Sequence, residues 1–500
     1  MKPPFANSYW LEPGRIICGE YPRDFDDLSD HAGMTALLAA GTRVFVDLTE
    51  PGELKPYDAI ARNTAQTMGL DPRALTFYRH PVRDVSVPKN PQEMQAILRT
   101  LRRGRHRNEG IYLHCWGGRG RTGTVAGCFL SDVFGRKGQE ALDLLGERWK
   151  ACAKSADSES PETNEQRQYV RDWPPEGLHG KERIRGALLG AALGDALGVP
   201  VEFEGRGQRK QDPVAGLRGD GTHHQPAGTW SDDTSLVLAT VAGLKQAGDC
   251  DAEAIMGQFL QWFENGHHSP HGEVFDIGIA TRAALRRYQS GIPATECGGT
   301  DERSNGNGSL MRILPIALAY ADDPALVNKA AAISSLTHAH ERSRFCCAFY
   351  CLVVSDLLHG SPLREATAFA WDILDHRWEF SEAERPRFEA LHPDRLFSRE
   401  EDAIGSGGHV IDTLEAALWV NDRHDNFAGA VLHAVNLGDD TDTTGCVAGG
   451  LAGLIHGESG IPTEWRKALV KSQELESLSE DFADFCEREA RSLFIPEELE

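Results

Sequence analysis

The stretch Leu437-Gly438-Asp439-Asp440-Thr441-Asp442-Thr443-Thr444-Gly445 leaves a glycine-containing turn and runs straight into an apolar segment that reaches Ile455. An earlier stretch, Trp230-Ser231-Asp232-Asp233-Thr234, opens a second such segment that reaches Gln246. Both segments carry helical periodicity, so each turn crowds acidic and hydroxyl oxygens at a helix N-terminus. One such turn could be an ordinary cap, because Ser, Thr and Asp satisfy free backbone N–H groups and suit the positive end of the helix dipole. Five carboxylates in two matched turns exceed what capping needs. Hard oxygens with no Cys or imidazole beside them favour Mg²⁺ or Mn²⁺ over zinc.

Outward from these turns the texture stays Ala- and Leu-rich, with helical spacing over Lys181–Leu197, Ala252–Phe263, Ser343–Leu358 and Val410–Trp419. Residues 181–500 therefore read as one largely α-helical domain with functional loops at helix starts. Pro and Gly punctuation from Asp172 to Gly180 marks a linker, set at 174–180. Ahead of it, residues 1–173 mix elements: Arg43–Leu48 and Ile111–His114 read as buried strands, Pro91–Leu101 and Thr122–Phe134 as helices. The expectation is an N-terminal α/β domain followed by an all-α domain.

Composition narrows the class. A chain of 500 residues has ample length for separate cores. No uninterrupted apolar run reaches the roughly 18 residues of a membrane span, and the N-terminus lacks a signal-peptide pattern, so the expected location is cytoplasmic, without a membrane partner. The 11 cysteines are scattered with no paired CxxC spacing, which argues against a disulfide framework or zinc knot. The net charge of −23 is uneven: residues 1–171 carry 24 basic and 22 acidic side chains, the remainder 28 and 53. An acidic C-terminal part argues against a nucleic-acid partner there.

In the first section, His114-Cys115-Trp116-Gly117-Gly118-Arg119-Gly120-Arg121-Thr122-Gly123-Thr124 follows an expected strand and opens an expected helix. Glycines let the loop curl until N–H groups face inward, the helix dipole adds positive potential, and the Arg121 fork can grip two phosphate oxygens. The same field is expected to favour the Cys115 thiolate as nucleophile. Thr122 stands where a hydroxyl can stabilise that thiolate as it leaves, and Asp84, on the Pro-punctuated loop Pro81-Val82-Arg83-Asp84, is the candidate general acid. Over about residues 5–173 the chain resembles the dual-specificity and tyrosine phosphatase superfamily. Glu162-Thr163 and Gln166 fall where some of its members hold a water-orienting glutamine, a role left open here.

The second section carries five motifs in order: Gly186 to Glu202, Trp230 to Thr234, Phe275-Asp276-Ile277-Gly278, Ser304-Asn305-Gly306-Asn307-Gly308-Ser309-Leu310-Met311-Arg312, and Leu437 to Gly445. They resemble the ADP-ribosylglycohydrolase family. That resemblance implies an all-α fold with two magnesium ions, Mn²⁺ being an alternative. It implies Ser231, Asp232 and Asp233 as metal ligands from one turn and Asp440, Asp442 and Thr443 from the other. Asp439 replaces a glycine common in the family and is not counted as a ligand. Glu202 matches a position that some members use for a catalytic carboxylate. Asp276 and Gly278 resemble residues lining the ribose pocket. The bare backbone of Asn305, Gly306, Asn307 and Ser309 suits a diphosphate. His338, expected on a helix, is a further lining residue, and His409 stands where many relatives have Tyr, either ring offering a face to adenine.

The chain thus reads as a bifunctional hydrolase. A magnesium-dependent ADP-ribosylhydrolase would cleave the C1″ glycosidic bond, and a Cys-nucleophile phosphomonoesterase would be fused to it. Expected partners are an ADP-ribosylated protein or ADP-ribose-containing small molecule, and a phosphorylated protein or metabolite. The alternatives are one vestigial domain serving as an ADP-ribose or phosphate reader, or a non-catalytic relative akin to lens crystallins.

Overall fold

The computed structural model describes residues 1–23, 30–174 and 180–493. Contacts divide the chain into Met1–Leu178 with Ala490–Glu500, and His179–Glu489. Most of the expected linker, 175–179, lies outside the described residues.

The first unit is built on a five-stranded sheet of β1 (Ser8–Glu12), β2 (Ile16–Gly19), β3 (Thr42–Asp47), β4 (Thr76–Arg79) and β5 (Gly110–His114), in the order β1-β2-β5-β3-β4. β1 and β2 are antiparallel and the other pairs parallel. Alternation along β5 explains the two covered faces. Ile111 and Leu113 share an apolar cluster with Ile97, Leu98 and Phe129, while Tyr112 belongs to a second cluster with Ile17 and Phe45. Since β5 lies between parallel neighbours, its C-terminal end opens at the crevice where such sheets bind ligands. Cys115 is the next residue, and the helix Gly120–Phe134 follows.

The helix expected over Pro91–Leu101 runs on to His106. Its start is the Asn90 cap with Pro91 in the first turn. Its extra turn is held by buried arginines: Arg105 forms a fork on Glu12 at 2.6 and 2.9 Å, and Arg102 reaches Asp132 at 2.7 Å.

Among the described residues of the second unit, every regular element is helical. The expected segments are observed as Gly180–Gly198, Asp232–Ala247, Ala252–Asn265, Glu341–Leu358, Val410–Arg423 and Thr441–His456. Two of these decide where the site lies. Gly186, Gly190 and Gly194 face the backbone carbonyls of Gly453, Gly449 and Gly445, and Gly198 faces the backbone of Asp442. A Cβ at any of the four would strike that backbone, so a four-residue glycine repeat on each helix lets the two lie backbone to backbone. The second acidic turn is thereby pinned to the end of the first helix, and Thr441 Oγ1 donates to Gly198 O at 2.8 Å. The segment Gly180–Val201 is long and apolar enough to cross a membrane, yet 94 % of its most apolar 18-residue window is buried within the protein, as a core helix is.

Candidate active sites

The helix Asp232–Ala247 starts at Ser231, whose hydroxyl caps Asp233 N at 3.2 Å. The turn is clamped from beneath by Asp195, a carboxylate that the sequence reading left unassigned. It sits in the otherwise apolar stretch Gly186–Gly198 of the helix Gly180–Gly198 and accepts from Ser231 N at 2.9 Å, Thr234 N at 3.0 Å and Thr234 Oγ1 at 2.6 Å. Burial pushes its carboxyl up to about 6 against the pull of these bonds. Across from it, the Asp440 side chain makes no capping bond to its own helix. The two turns meet where Thr443 Oγ1 lies 3.3 Å from Asp233 Oδ2. Asp440, Asp442 and Glu202 present oxygens within 4.8 Å of one another.

Asp439, in left-handed backbone at φ +62°, points its carboxylate at Ser406 Oγ (3.1 Å) and not into this cluster. Its main chain does the structural work: Phe203 N donates to Asp439 O at 2.7 Å and Asp439 N to Glu204 O at 2.8 Å. These bonds hold the Glu202 loop against the second turn. Burial, reinforced by Asp276 and Asp440, pushes the Glu202 carboxyl up to about 7, although His223 bonds to it and draws it down. His223 also went unread in the sequence. Its imidazole is raised in turn by the Glu202 hydrogen bond.

The loop expected to face the diphosphate is anchored on the same turns. Asn307 Nδ2 donates to Asp440 Oδ2 at 2.9 Å and to Thr413 Oγ1 at 2.8 Å, and Asn307 N donates to Gly408 O. Asn305 O receives Val410 N at 3.0 Å, and Gly306 pairs with His409. His409 is half-buried and caps its helix through Ile411 N at 3.3 Å. Gly278 N donates to Asp232, tying the Asp276 segment to the first turn. Ser309 is fully buried, with its hydroxyl 3.0 Å from Ser334 Oγ and 3.5 Å from Cys347 Sγ, so its side chain braces the loop from within. His338 is not on a helix: it follows the helix Leu326–Ser334 and bridges to Gly299. Its ring faces Gly306 and Gly308, and burial pushes it down to about 3, so it is neutral.

The residues fit a divalent cation. Asp233 Oδ1 is buried with no hydrogen-bond partner among the described residues, the ligand atoms are all oxygen, and burial with mutual repulsion drives Asp232, Asp233 and Asp442 well above the carboxylate range. Without a cation the folded chain must keep protons that the unfolded chain releases near pH 4. Stability from this cluster is therefore lost as pH rises from about 4 through about 7, the window set by Asp195 and Glu202. A cation replaces those protons. The expected outcome is a Mg²⁺-induced rise in the unfolding midpoint that is larger at about pH 7.5 than at about pH 5. Scanning calorimetry with Mg²⁺ or EDTA checks it, and a rise equal at both pH values would contradict it.

In the first unit, Cys115 is buried at the end of β5 and Gly118, at φ +69°, packs so closely on the backbone of Gly19 that no side chain fits. Arg121 is aimed by Glu53, a partner that no local pattern announces: Nη1 and Nη2 fork onto its carboxylate at 2.9 and 2.7 Å. These bonds hold Glu53 below its usual range. Arg121 also donates to Val82 O at 3.0 Å and lies 3.0 Å from Asp84, which brings the candidate acid to the candidate phosphate-binding arginine. Among the described residues the buried Thr122 hydroxyl has no hydrogen-bond partner. Gln166 is fully buried in a capping box with Thr163 and donates to Ser86 O at 3.0 Å, which ties the Asp84 loop to the helix behind Gly120. Behind the loop, Tyr57 Oη lies 2.7 Å from His114 Nε2, and burial pushes that imidazole down to about 4.

A family profile described as ADP-ribosylglycohydrolase matches residues 177–491, and one described as the DSP-PTPase phosphatase domain of the Swiss Army Knife proteins matches 5–180. An ADP-ribosylarginine hydrolase, Tri1, of Pseudomonas putida is 34 % identical over 305 residues, which is 61 % of this chain and 78 % of that protein. The ADP-ribosyl-[dinitrogen reductase] glycohydrolase of Rhodospirillum rubrum is 31 % identical over 298 residues, 59 % of this chain and 92 % of that one. A solved structure of an ADP-ribosylglycohydrolase-related protein complex superposes with TM-score 0.53 at 32 % identity, covering 61 % of this chain and 99 % of the other. The chain belongs to the ADP-ribosylglycohydrolase family and carries a DSP-PTPase-like phosphatase domain ahead of that enzyme domain.

Proposed function

We propose that the helical domain is a magnesium-dependent hydrolase of ADP-ribosylated arginine and that the N-terminal domain is an active cysteine phosphatase. The observation that carries the first half is the meeting of the two acidic turns at Asp233 and Thr443, with Asp233 Oδ1 left buried and unpartnered. Ser231, Asp232 and Asp233 would hold divalent cations from one side, Asp440, Asp442 and Thr443 from the other. Bound there, two ions would fix and polarise the ribose hydroxyls and hold a water near the anomeric carbon. Asp195 keeps the first turn in place, and Asn307 sets the diphosphate-side loop against Asp440. Glu202, still partly protonated near neutral pH, exchanges a proton with the leaving group or the attacking water, with His223 as its partner. Arginine linkage is favoured by the relative named for ADP-ribosylarginine.

In the phosphatase domain, the Cys115 sulfur forms a bond to phosphorus as the ester P–O bond breaks, and Asp84 protonates the departing oxygen. Glu53 keeps the Arg121 fork oriented toward the phosphate. Water then cleaves the phosphocysteine.

The test is release of free ADP-ribose from arginine-ADP-ribosylated protein by the intact chain in Mg²⁺ or EDTA. Metal-dependent release is the expected result. A folded, metal-loaded chain that releases ADP-ribose from serine-linked but not arginine-linked protein would overturn the linkage.

A further inference from the structure

Glu202 is followed at once by Phe203, a bulky residue held in left-handed backbone at φ +65° and 69 % exposed. Such a backbone is costly for an aromatic residue and persists only where the surroundings impose it. Here the Asp439 carbonyl imposes it by accepting Phe203 N at 2.7 Å. The His223 ring, bonded to Glu202, lies with its centroid 6.1 Å from that of Phe203 and 5.5 Å from that of Phe275. Phe275 in turn precedes Asp276, whose carboxylate comes within 4.8 Å of the ligating atoms of both Glu202 and His223. The Glu202, His223 and Asp276 group thus stands beside two aromatic side chains at the proposed catalytic acid, and neither aromatic ring is consumed by the fully buried core.

We infer that Phe203, Phe275, Glu202 and Asp276 form the subsite for the leaving group, and that this subsite selects a planar guanidinium over a neutral acceptor. The inference rests on the hydrolase reading above and names the residues that read the linkage. A guanidinium offers a flat cationic face to aromatic rings and forked N–H donors to carboxylates, and it sheds its hydration more readily than an ammonium does. A serine hydroxyl or an acetate ester offers neither feature. His223, bonded to Glu202 and near both rings, positions that carboxylate beside them. The strained backbone at Phe203 keeps that ring beside Glu202, where a relaxed loop would let it swing away.

The test uses the intact chain saturated with ADP-ribose and Mg²⁺, titrated calorimetrically with agmatine, which carries a guanidinium, or with N-carbamoylputrescine, the urea that keeps agmatine's ammonium and replaces its guanidinium by a neutral planar group. Agmatine is expected to bind at least about 10-fold tighter than the urea. Phe203→Leu, which keeps apolar bulk at an exposed position but removes the ring, is expected to erase most of that preference. Phe203→Leu combined with Phe275→Leu is expected to erase all of it, with ADP-ribose affinity held within about twofold. Equal binding of agmatine and the urea, or a preference undiminished in both variants, overturns the inference. If the unaltered chain binds no ADP-ribose, that is seen before agmatine is added. It would overturn the hydrolase reading itself, together with this inference.

Discussion

Asp233→Ala is expected to lower ADP-ribose release by about 10³-fold or more while leaving phosphatase turnover intact. Asp233 is the residue where the two turns meet, since Oδ2 faces Thr443 Oγ1 at 3.3 Å while Oδ1 has no protein partner. Removing it takes away a cation ligand and the contact between turns together. The fold should survive, because the Ser231 cap, the Asp195 clamp and the glycine-paired helices do not depend on that side chain. Loss of one repelling carboxylate from a buried cluster should even raise the unfolding midpoint in EDTA. Steady-state release assays with calorimetry on the same protein check both parts. An inactive variant whose midpoint collapses would point to a structural role, and a fully active one would remove Asp233 from the site.

Cys115→Ser is the second change of large expected effect, in the other domain: phosphate release from a generic aryl phosphate should fall by about 10⁴-fold. A serine hydroxyl is a far weaker nucleophile at neutral pH than a thiolate. The loop should keep its shape, because Gly118 packed on Gly19 and Arg121 held by Glu53 are untouched. The variant should therefore still bind orthovanadate or phosphate, and it should release ADP-ribose as the parent does. Residual phosphatase activity above about one per cent would assign the chemistry to another nucleophile.

What could be read from the sequence was what is local in the chain. The acidic turns, the loop from Cys115 to Thr122 and the α/β-to-α change each declare themselves within a dozen residues, where periodicity and turn chemistry act. Asp195, Glu53 and His223 escaped because their partners are set by tertiary packing: Asp195 serves Ser231 and Thr234, and Glu53 aims Arg121. A signal for Asp195 was present, since it is the lone carboxylate between Gly186 and Gly198, and a charge in so apolar a helix needs a partner. The glycine spacing at 186, 190, 194 and 198, repeated at 445, 449 and 453, likewise announced two helices in backbone contact. The helix from Pro91 was cut short for the opposite reason. Arg102 and Arg105 look like a solvent face in sequence, and only their burial against the partners Asp132 and Glu12 reveals that the core continues. His338 was assigned to a helix because its neighbourhood is helical; the bridge to Gly299 is a long-range contact that ends that pattern.

The central claim is that the turns at Ser231–Thr234 and Asp440–Thr443 form one cation centre. Its most direct test is a titration of the cation-free intact chain with Mn²⁺, followed by electron paramagnetic resonance. The account predicts two ions per chain, close enough to couple magnetically, with binding lost or reduced to one weak ion in both Asp233→Ala and Asp440→Ala. No bound Mn²⁺ in the unaltered chain, or two ions retained in both variants, would contradict it.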